Sequence, residues 1–142
     1  AQDQGVIDAP LGRDPNDRTT FAVRDGGRGA VTQYRSAETF PLRTGEHRRR
    51  AMPPEVLTLM QLKLETGRTH QIRVHCAAIG HPIVGDRAYA GGRPALGMPR
   101  QALHAARLRF IHPITGKAMS FTAPWPEDFA ALVERLRPGT PQ

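Results

Sequence analysis

The sequence predicts an α+β domain in which a few helices pack on a mixed, largely antiparallel sheet. Segments rich in β-forming residues outnumber segments with a helical period, and turns join most of them. The chain has 142 residues, 39% of them hydrophobic, which is enough for one modest domain with its own core. Residues 1–142 are therefore expected to form one unit.

The N-terminal third is expected to hold loop followed by two strands. Residues 1–18 are rich in Gly, Pro and Asp and lack an apolar period, which predicts a loop or connector. Residues 19–23 fit a short strand, and residues 30–40 fit a longer one. Residues 42–54 form a polar, basic insertion whose densest positive run is His47 to Arg50.

The net charge of +7 favours a polyanionic partner, nucleic acid first. The excess of Arg over Lys leaves a second explanation open, the codon usage of a GC-rich genome. The 42–54 insertion is likewise either a solvated hairpin tip or a tip that contacts phosphate.

The middle of the chain predicts a strand, a turn and a short helix. Residues 57–65 alternate as a strand whose parity shifts near Met60, which indicates a bulge or a buried central strand. Thr69 is the expected N-cap of a helix that runs to about residue 79, with Gly80 just after its end. Its core face is expected to contain the set spaced i, i+3, i+4, i+7: Ile72, His75, Cys76 and Ile79.

The last third predicts a loop, a hairpin and a final helix. Residues 86–100 are Gly- and Pro-rich loop, and residues 103–111 and 118–122 read as strands joined by a turn. The final helix ends at Pro138 and carries an apolar stripe of Phe129, Leu132, Val133 and Leu136.

Other kinds of site have weak support. His70 and His75 are five residues apart, so they do not share a helix face as a zinc pair would, and we expect no metal. Cys76 lies on the predicted core face, where a free Cys behaves as a small apolar residue. No apolar run approaches the roughly 18 residues of a spanning helix. The lone Cys and the absence of a secretory signal favour the cytoplasm.

One stretch carries a resemblance. "LETGRTHQIRVH" (residues 64–75), followed by "GHPIVGD" (residues 80–86), resembles the long motif of the RNA pseudouridine synthases of types A, C and D that modify large-subunit ribosomal RNA, most of all type D. "RQALHAARLRFIHPITGK" (residues 100–117), "GAVTQY" (residues 29–34) and "FTAPWPEDF" (residues 121–129) are similar to further segments. The resemblance covers nearly the whole chain and implies part of a pseudouridine-synthase-like fold.

The resemblance also implies site residues. Arg73 matches the Arg that pairs with the catalytic Asp of the family, and Leu103 matches an apolar residue that lines the uracil pocket. Asp86 matches an Asp that braces the loop after Gly85. The motif residues that shape the site are Arg68, Thr69, His70 and Gln71. The Arg73 guanidinium has no acidic partner adjacent in sequence, so its partner is expected to be distant or absent.

The family's His-Arg-Leu-Asp and Lys-x-Tyr motifs do not occur here. The chain therefore resembles the C-terminal portion of a catalytic domain, inactive alone, whose parent isomerises uridine in 23S-type ribosomal RNA without metal or cofactor. The missing N-terminal half would be its second partner. The alternatives are a non-catalytic RNA-binding module that keeps the scaffold and a basic structural protein.

Overall fold

The computed structural model describes residues 3–42 and 56–139 and has the predicted α+β composition. All the strand pairs in these two ranges are antiparallel, and the strands form three small sheets. In chain order the elements are β1 Gln4–Asp8, β2 Leu11–Arg13, β3 Phe21–Val23, β4 Val31–Pro41, β5 Val56–Leu64, α1 Gln71–Ala78, β6 Arg107–Ile111, β7 Ala118–Thr122 and α2 Glu127–Leu136.

The largest sheet has the order β1-β4-β5, so the long strand β4 is central. The parity shift expected near Met60 corresponds to a real irregularity, but the extra residue is on the partner strand. The register of β4 against β5 slips between Ser36 and Glu38, which pair with Met60 and Leu59. The extra residue interrupts the alternation of β4, the strand that carries it, whereas β5 continues opposite the bulge without an inserted residue.

The prediction that residues 1–18 are loop is wrong. Strand β1 pairs with β4 from Gln4↔Arg35 to Asp8↔Val31, and β2 pairs with β3 from Leu11↔Val23 to Arg13↔Phe21. These strands are short, and the partner of β1 is distant in sequence. Pairing with a neighbouring strand therefore overrides their weak local preference.

Helix α1 begins later and packs differently than expected. Its N-cap is His70, not Thr69, with φ 55°, and no side chain caps the first turn. The buried residues are Gln71, Val74, His75 and Cys76, whereas Ile79 is exposed and Ile72 only half-buried. The helix therefore turns a partly polar face towards the sheet, because that face forms hydrogen bonds with β4.

A buried polar network makes this packing possible. The Thr32 hydroxyl accepts an N–H of Gln71 (3.0 Å) and lies 2.8 Å from Nδ1 of His75. Nε2 of His75 lies 2.9 Å from the carbonyl oxygen of Ala9, which can only accept, so Nε2 carries a proton. Because its polar atoms have partners, His75 is tolerated at 0% exposure.

The C-terminal end of α1 follows the prediction. Gly80 has φ 81° and donates its N–H to the carbonyl of Ala77, while His81 donates to that of Cys76, which is the pattern of a Schellman motif. This left-handed conformation favours glycine because a side chain would be strained there.

The C-terminal hairpin is shorter than predicted, and the final helix agrees. Strand β6 begins at Arg107, so the segment from Leu103 to Ala106 leads into the hairpin rather than belonging to it. In α2, Leu132 and Val133 are buried, as the apolar stripe predicts. None of the helices in the described ranges is long and apolar enough to cross a membrane. The basic insertion predicted at 42–54 lies outside the described residues, apart from Leu42.

Candidate active site

The turn before α1 is held together by one side-chain amide. Oε1 of Gln71 accepts the backbone N–H of Arg68 (2.9 Å) and the hydroxyl of Thr66 (2.8 Å), and Nε2 donates to the carbonyl of Val31 (3.0 Å). Thr66 in turn accepts the N–H of Val31 (3.0 Å). Gln71 thus attaches the turn before α1 to the start of β4, although it caps none of the backbone N–H groups of the first helical turn.

The Arg73 side chain extends from α1 to a carboxylate in the loop that follows the helix. Its Nε and Nη2 donate to the two oxygens of Asp86, at 2.8 and 2.9 Å. The Asp86 side chain is 0% exposed and that of Arg73 is 18% exposed. The acidic partner of Arg73, which was expected to be distant in sequence or absent, is therefore Asp86. A bidentate ion pair of this kind is among the strongest single contacts that a guanidinium can make.

Asp86 also braces its own loop, as the resemblance implied. Its Oδ1 accepts the backbone N–H groups of Ala88 (3.2 Å) and Tyr89 (3.3 Å). Burial alone would raise the pKa of this carboxyl, but the hydrogen bonds and charge of Arg73 and the two N–H groups outweigh burial and lower it. The Asp86 hydrogen bonds raise the pKa of Arg73 against the opposing effect of burial, so the pair stays ionised.

Tyr89 is a site residue that the sequence did not reveal. The Arg73 guanidinium carbon lies 4.9 Å from the centroid of its ring, a cation–π distance. The Tyr89 hydroxyl accepts the Phe21 N–H (3.0 Å) and lies 2.8 Å from Nδ1 of His70. Its position three residues after Asp86 in a Gly-rich loop was the available signal, but nothing local links it to Arg73.

His70 is packed between two aromatic rings. The ring centroids of Phe21 and Tyr89 lie 5.8 and 5.6 Å from it, both in edge-to-face geometry. Burial first, and then the positive charge of Arg73, lower the pKa of His70, with Asp86 opposing. Nδ1 of a neutral His70 can accept a hydrogen bond from the Tyr89 hydroxyl. This contact helps to hold the Tyr89 side chain in place.

The remaining predicted residues lie at two other places. Arg68 and Thr69 border a cavity of about 130 Å³ beside the turn, and Nε of Arg68 donates to the Gly29 carbonyl (3.0 Å). Leu103 is half-buried in the segment before β6, where its carbonyl accepts an N–H of Arg100 (3.2 Å). No hydrogen bond or ion pair among the described residues joins Leu103 to the Arg73–Asp86 pair.

Other chemistries find little support within residues 3–42 and 56–139. This part of the chain holds no group of three or more His, Cys, Asp or Glu side chains able to bind a metal ion. Burial raises the pKa of Cys76 to about 11, so the thiol stays protonated and inert at neutral pH.

A profile of the family described as RNA pseudouridylate synthase matches residues 1–78, more than half of the chain. The chain belongs to this family. In three dimensions it is similar to human RNA pseudouridylate synthase domain containing 1, with a TM-score of 0.68 and 29% identity, covering 92% of this chain and 53% of that one. The α+β architecture is therefore that of a pseudouridylate synthase domain.

Two curated relatives show the similarity within the family. The chain is 46% identical to ribosomal large subunit pseudouridine synthase D of Vibrio parahaemolyticus, over 96% of this chain and 41% of that protein. It is 44% identical to the protein of that name from Escherichia coli, over 94% of this chain and 40% of that protein. The chain thus spans about two fifths of the length of these relatives.

Proposed function

We propose that this chain is the C-terminal portion of the catalytic domain of an RNA pseudouridine synthase that isomerises uridine to pseudouridine in 23S-type ribosomal RNA of the large ribosomal subunit. Membership of the family and the names of its relatives support the reaction and the substrate class. The net charge of +7 suits a polyanionic substrate. An enzyme of ribosomal RNA with one buried free Cys belongs in the cytoplasm.

The observation that carries the proposal is the arrangement around Arg73. A permanently charged guanidinium is held in one orientation at the end of the motif, and it is still 18% exposed. Such a group can keep a second carboxylate ionised and oriented. In the proposed reaction that carboxylate is an Asp supplied by the rest of the protein, and Arg73 is the catalytic residue of this chain.

The reaction needs no cofactor. The target nucleotide is turned out of its stack into a pocket. The N1–C1′ bond breaks, the detached uracil rotates, and a C5–C1′ bond forms. C5 then loses its proton and N1 gains one, so atoms and charge balance. Leu103 is assigned to support the base, and the residues from Arg68 to Gln71 are assigned to shape the pocket.

The experiment that tests this is tritium release from C5-labelled uridine in 23S-type ribosomal RNA. We expect release by the longer protein, none by this chain alone, and loss of release in Arg73→Ala while RNA affinity largely survives. Arg135→Ala removes the same charge from an exposed residue of α2 and should stay active. An active Arg73→Ala protein would refute the assigned role, and release by this chain alone would show that one of its own carboxylates suffices.

The C-terminal hairpin supports the existence of a second piece. Leu108 pairs with Phe121 and Phe110 with Met119, so these side chains share one face of the two-stranded sheet. Leu108, Phe110 and Phe121 are 60%, 41% and 51% exposed. An isolated hairpin is marginally stable in water, and an apolar face of this kind is normally covered.

We assign the cover to the missing N-terminal half. This chain alone should then self-associate, and mixing with the preceding part of the longer protein should give a stable complex. Phe121→Lys should weaken that complex, whereas Ser120→Lys, on the opposite face of β7, should not. Sedimentation velocity measures both the self-association and the complex. A chain that stays monomeric and does not bind the other half would refute the assignment.

The second candidate is a non-catalytic RNA-binding module that keeps the scaffold. The basic charge favours it as much as it favours the enzyme. The same assay separates the two, because the module binds ribosomal RNA without releasing tritium in any combination of pieces.

A further inference from the structure

The Arg73 guanidinium is held by one edge only. A guanidinium carries five N–H groups in a rigid plane, and Asp86 takes one on Nε and one on Nη2. The far edge, made of Nη1 and the second N–H of Nη2, has no hydrogen bond to any residue of the described ranges. That edge retains the geometry for a second bidentate contact with a carboxylate.

Tyr89 restrains the position of the guanidinium. The guanidinium carbon lies over the Tyr89 ring, 4.9 Å from its centroid, so movement of the guanidinium away from the ring would lose the cation–π contact. The ring cannot shift easily because its hydroxyl is bonded to the Phe21 backbone and lies 2.8 Å from His70. Through Tyr89, the position of Arg73 therefore depends on Phe21 of β3 and on His70 as well as on Asp86.

Asp86 is itself a rigid support. It is 1% exposed, and two backbone N–H groups share its Oδ1 with Arg73. Gly85 before it has φ 76°, and a Cβ there would lie 2.3 Å from the Arg100 carbonyl oxygen. The loop thus holds the carboxylate in one place, and an already ordered guanidinium loses little entropy when it binds a second group.

We propose that Asp86 and Tyr89 are positioning residues for the reaction: Asp86 holds one edge of the Arg73 guanidinium and the Tyr89 ring packs against it, so that the Nη1 edge is presented to the carboxylate supplied by the rest of the protein. This inference rests on the proposed function, because it requires that Arg73 act opposite such a carboxylate. It assigns to Asp86 a role beyond bracing its loop, and it adds Tyr89 to the residues on which turnover depends.

The test uses the longer protein and measures two quantities for each variant: the single-turnover rate of tritium release and the affinity for ribosomal RNA. Asp86→Asn keeps the shape of the side chain but leaves only one acceptor oxygen for the two N–H groups that Arg73 donates. We expect a rate loss on the order of 100-fold, which is typical when a reacting group is misplaced by about 1 Å, with RNA affinity unchanged.

Tyr89 supplies a graded pair of variants. Tyr89→Phe keeps the ring over Arg73 and loses only the hydroxyl contacts, so its rate should fall less than that of Tyr89→Leu, which loses the aromatic face. Glu38→Gln is the matched control, because Arg137 holds Glu38 by the same Nε and Nη2 edge, at 3.1 and 2.7 Å, in an exposed ion pair. Glu38→Gln should keep the wild-type rate.

The outcomes separate this inference from the function on which it rests. A wild-type protein that releases no tritium would overturn the proposed function. An active wild type and an inactive Arg73→Ala, together with Asp86→Asn and Tyr89→Leu at full rate, would overturn only the positioning roles. Parallel losses of RNA affinity and rate in both the Asp86 and the Tyr89 variants would also overturn them, because a fold-maintaining role predicts that result.

Discussion

The most direct test of the packing between α1 and the central sheet is Thr32→Val. The two side chains are nearly equal in size, and valine suits a central strand, so the change removes little except the hydroxyl. Thr32 and His75 are 0% exposed and Gln71 is 3% exposed, so water cannot reach this place to replace the lost hydroxyl. Nδ1 of His75 and one N–H of Gln71 would therefore lose their partner.

The magnitude follows from those two losses. A buried polar group left without a partner costs about 1–3 kcal/mol, so two such groups give roughly 2–6 kcal/mol. We expect a value in the lower half of this range, about 3 kcal/mol. The other N–H of the Gln71 amide keeps its bond to the Val31 carbonyl, and Nε2 of His75 keeps its bond to the Ala9 carbonyl. Most domains have only about 5–15 kcal/mol of stability, so this loss is large.

The assay is urea unfolding of the longer protein, in which the apolar hairpin face is expected to be covered, followed by far-ultraviolet circular dichroism. The slopes are compared to confirm that the unfolded states match. Thr39→Val is the control, because Thr39 lies on the same strand, pairs with Thr58 and is exposed. It should change the free energy of unfolding by no more than about 0.5 kcal/mol. A Thr32→Val chain as stable as the Thr39→Val chain would refute the reasoning.

Two further predictions concern the loop after α1. Because the folded state lowers the pKa of Asp86 from its ordinary value of 3.8, its contribution is full above that pH and is lost as the pH falls below it. The free energy of unfolding, measured by urea titration, should therefore fall in acid, and less steeply for Asp86→Asn; equal slopes would contradict this. Gly85→Ala should lower the melting temperature far more than Gly91→Ala, since both have positive φ but only the Gly85 Cβ would meet backbone, at 2.3 Å from Arg100. Calorimetry measures both, and equal losses would show that the close contact relaxes.

Local pattern was sufficient where an element's own residues determine its structure. Four features agree with the sequence-based expectations to within a few residues: the long strand β4, the hairpin strand β7, the helix α2 and the glycine that ends α1. Each has a clear period or a conformation that only one residue type adopts easily. The family was also evident from a contiguous motif, because its residues are adjacent in the chain.

The sequence predicted only part of the candidate site. Arg73 was identified by resemblance, but neither its pairing with Asp86 nor its contact with Tyr89 could be inferred, because those contacts depend on how the loop folds back over the helix. The predicted cap of α1 was wrong for a similar reason. Gln71 satisfies the turn through bonds to Thr66 and β4, and no local capping preference anticipates that.

The sequence by itself determined the α+β class, the family, the main periodic elements and the presence of a charged residue suited to the site. The tertiary structure decided the strands of the first 18 residues, the polar face of α1 and the orientation of Arg73. The physical reason is the range of the interactions. Periodicity and backbone conformation act within one element, whereas the contacts of β1, His75 and Arg73 exist only after separate segments have come together.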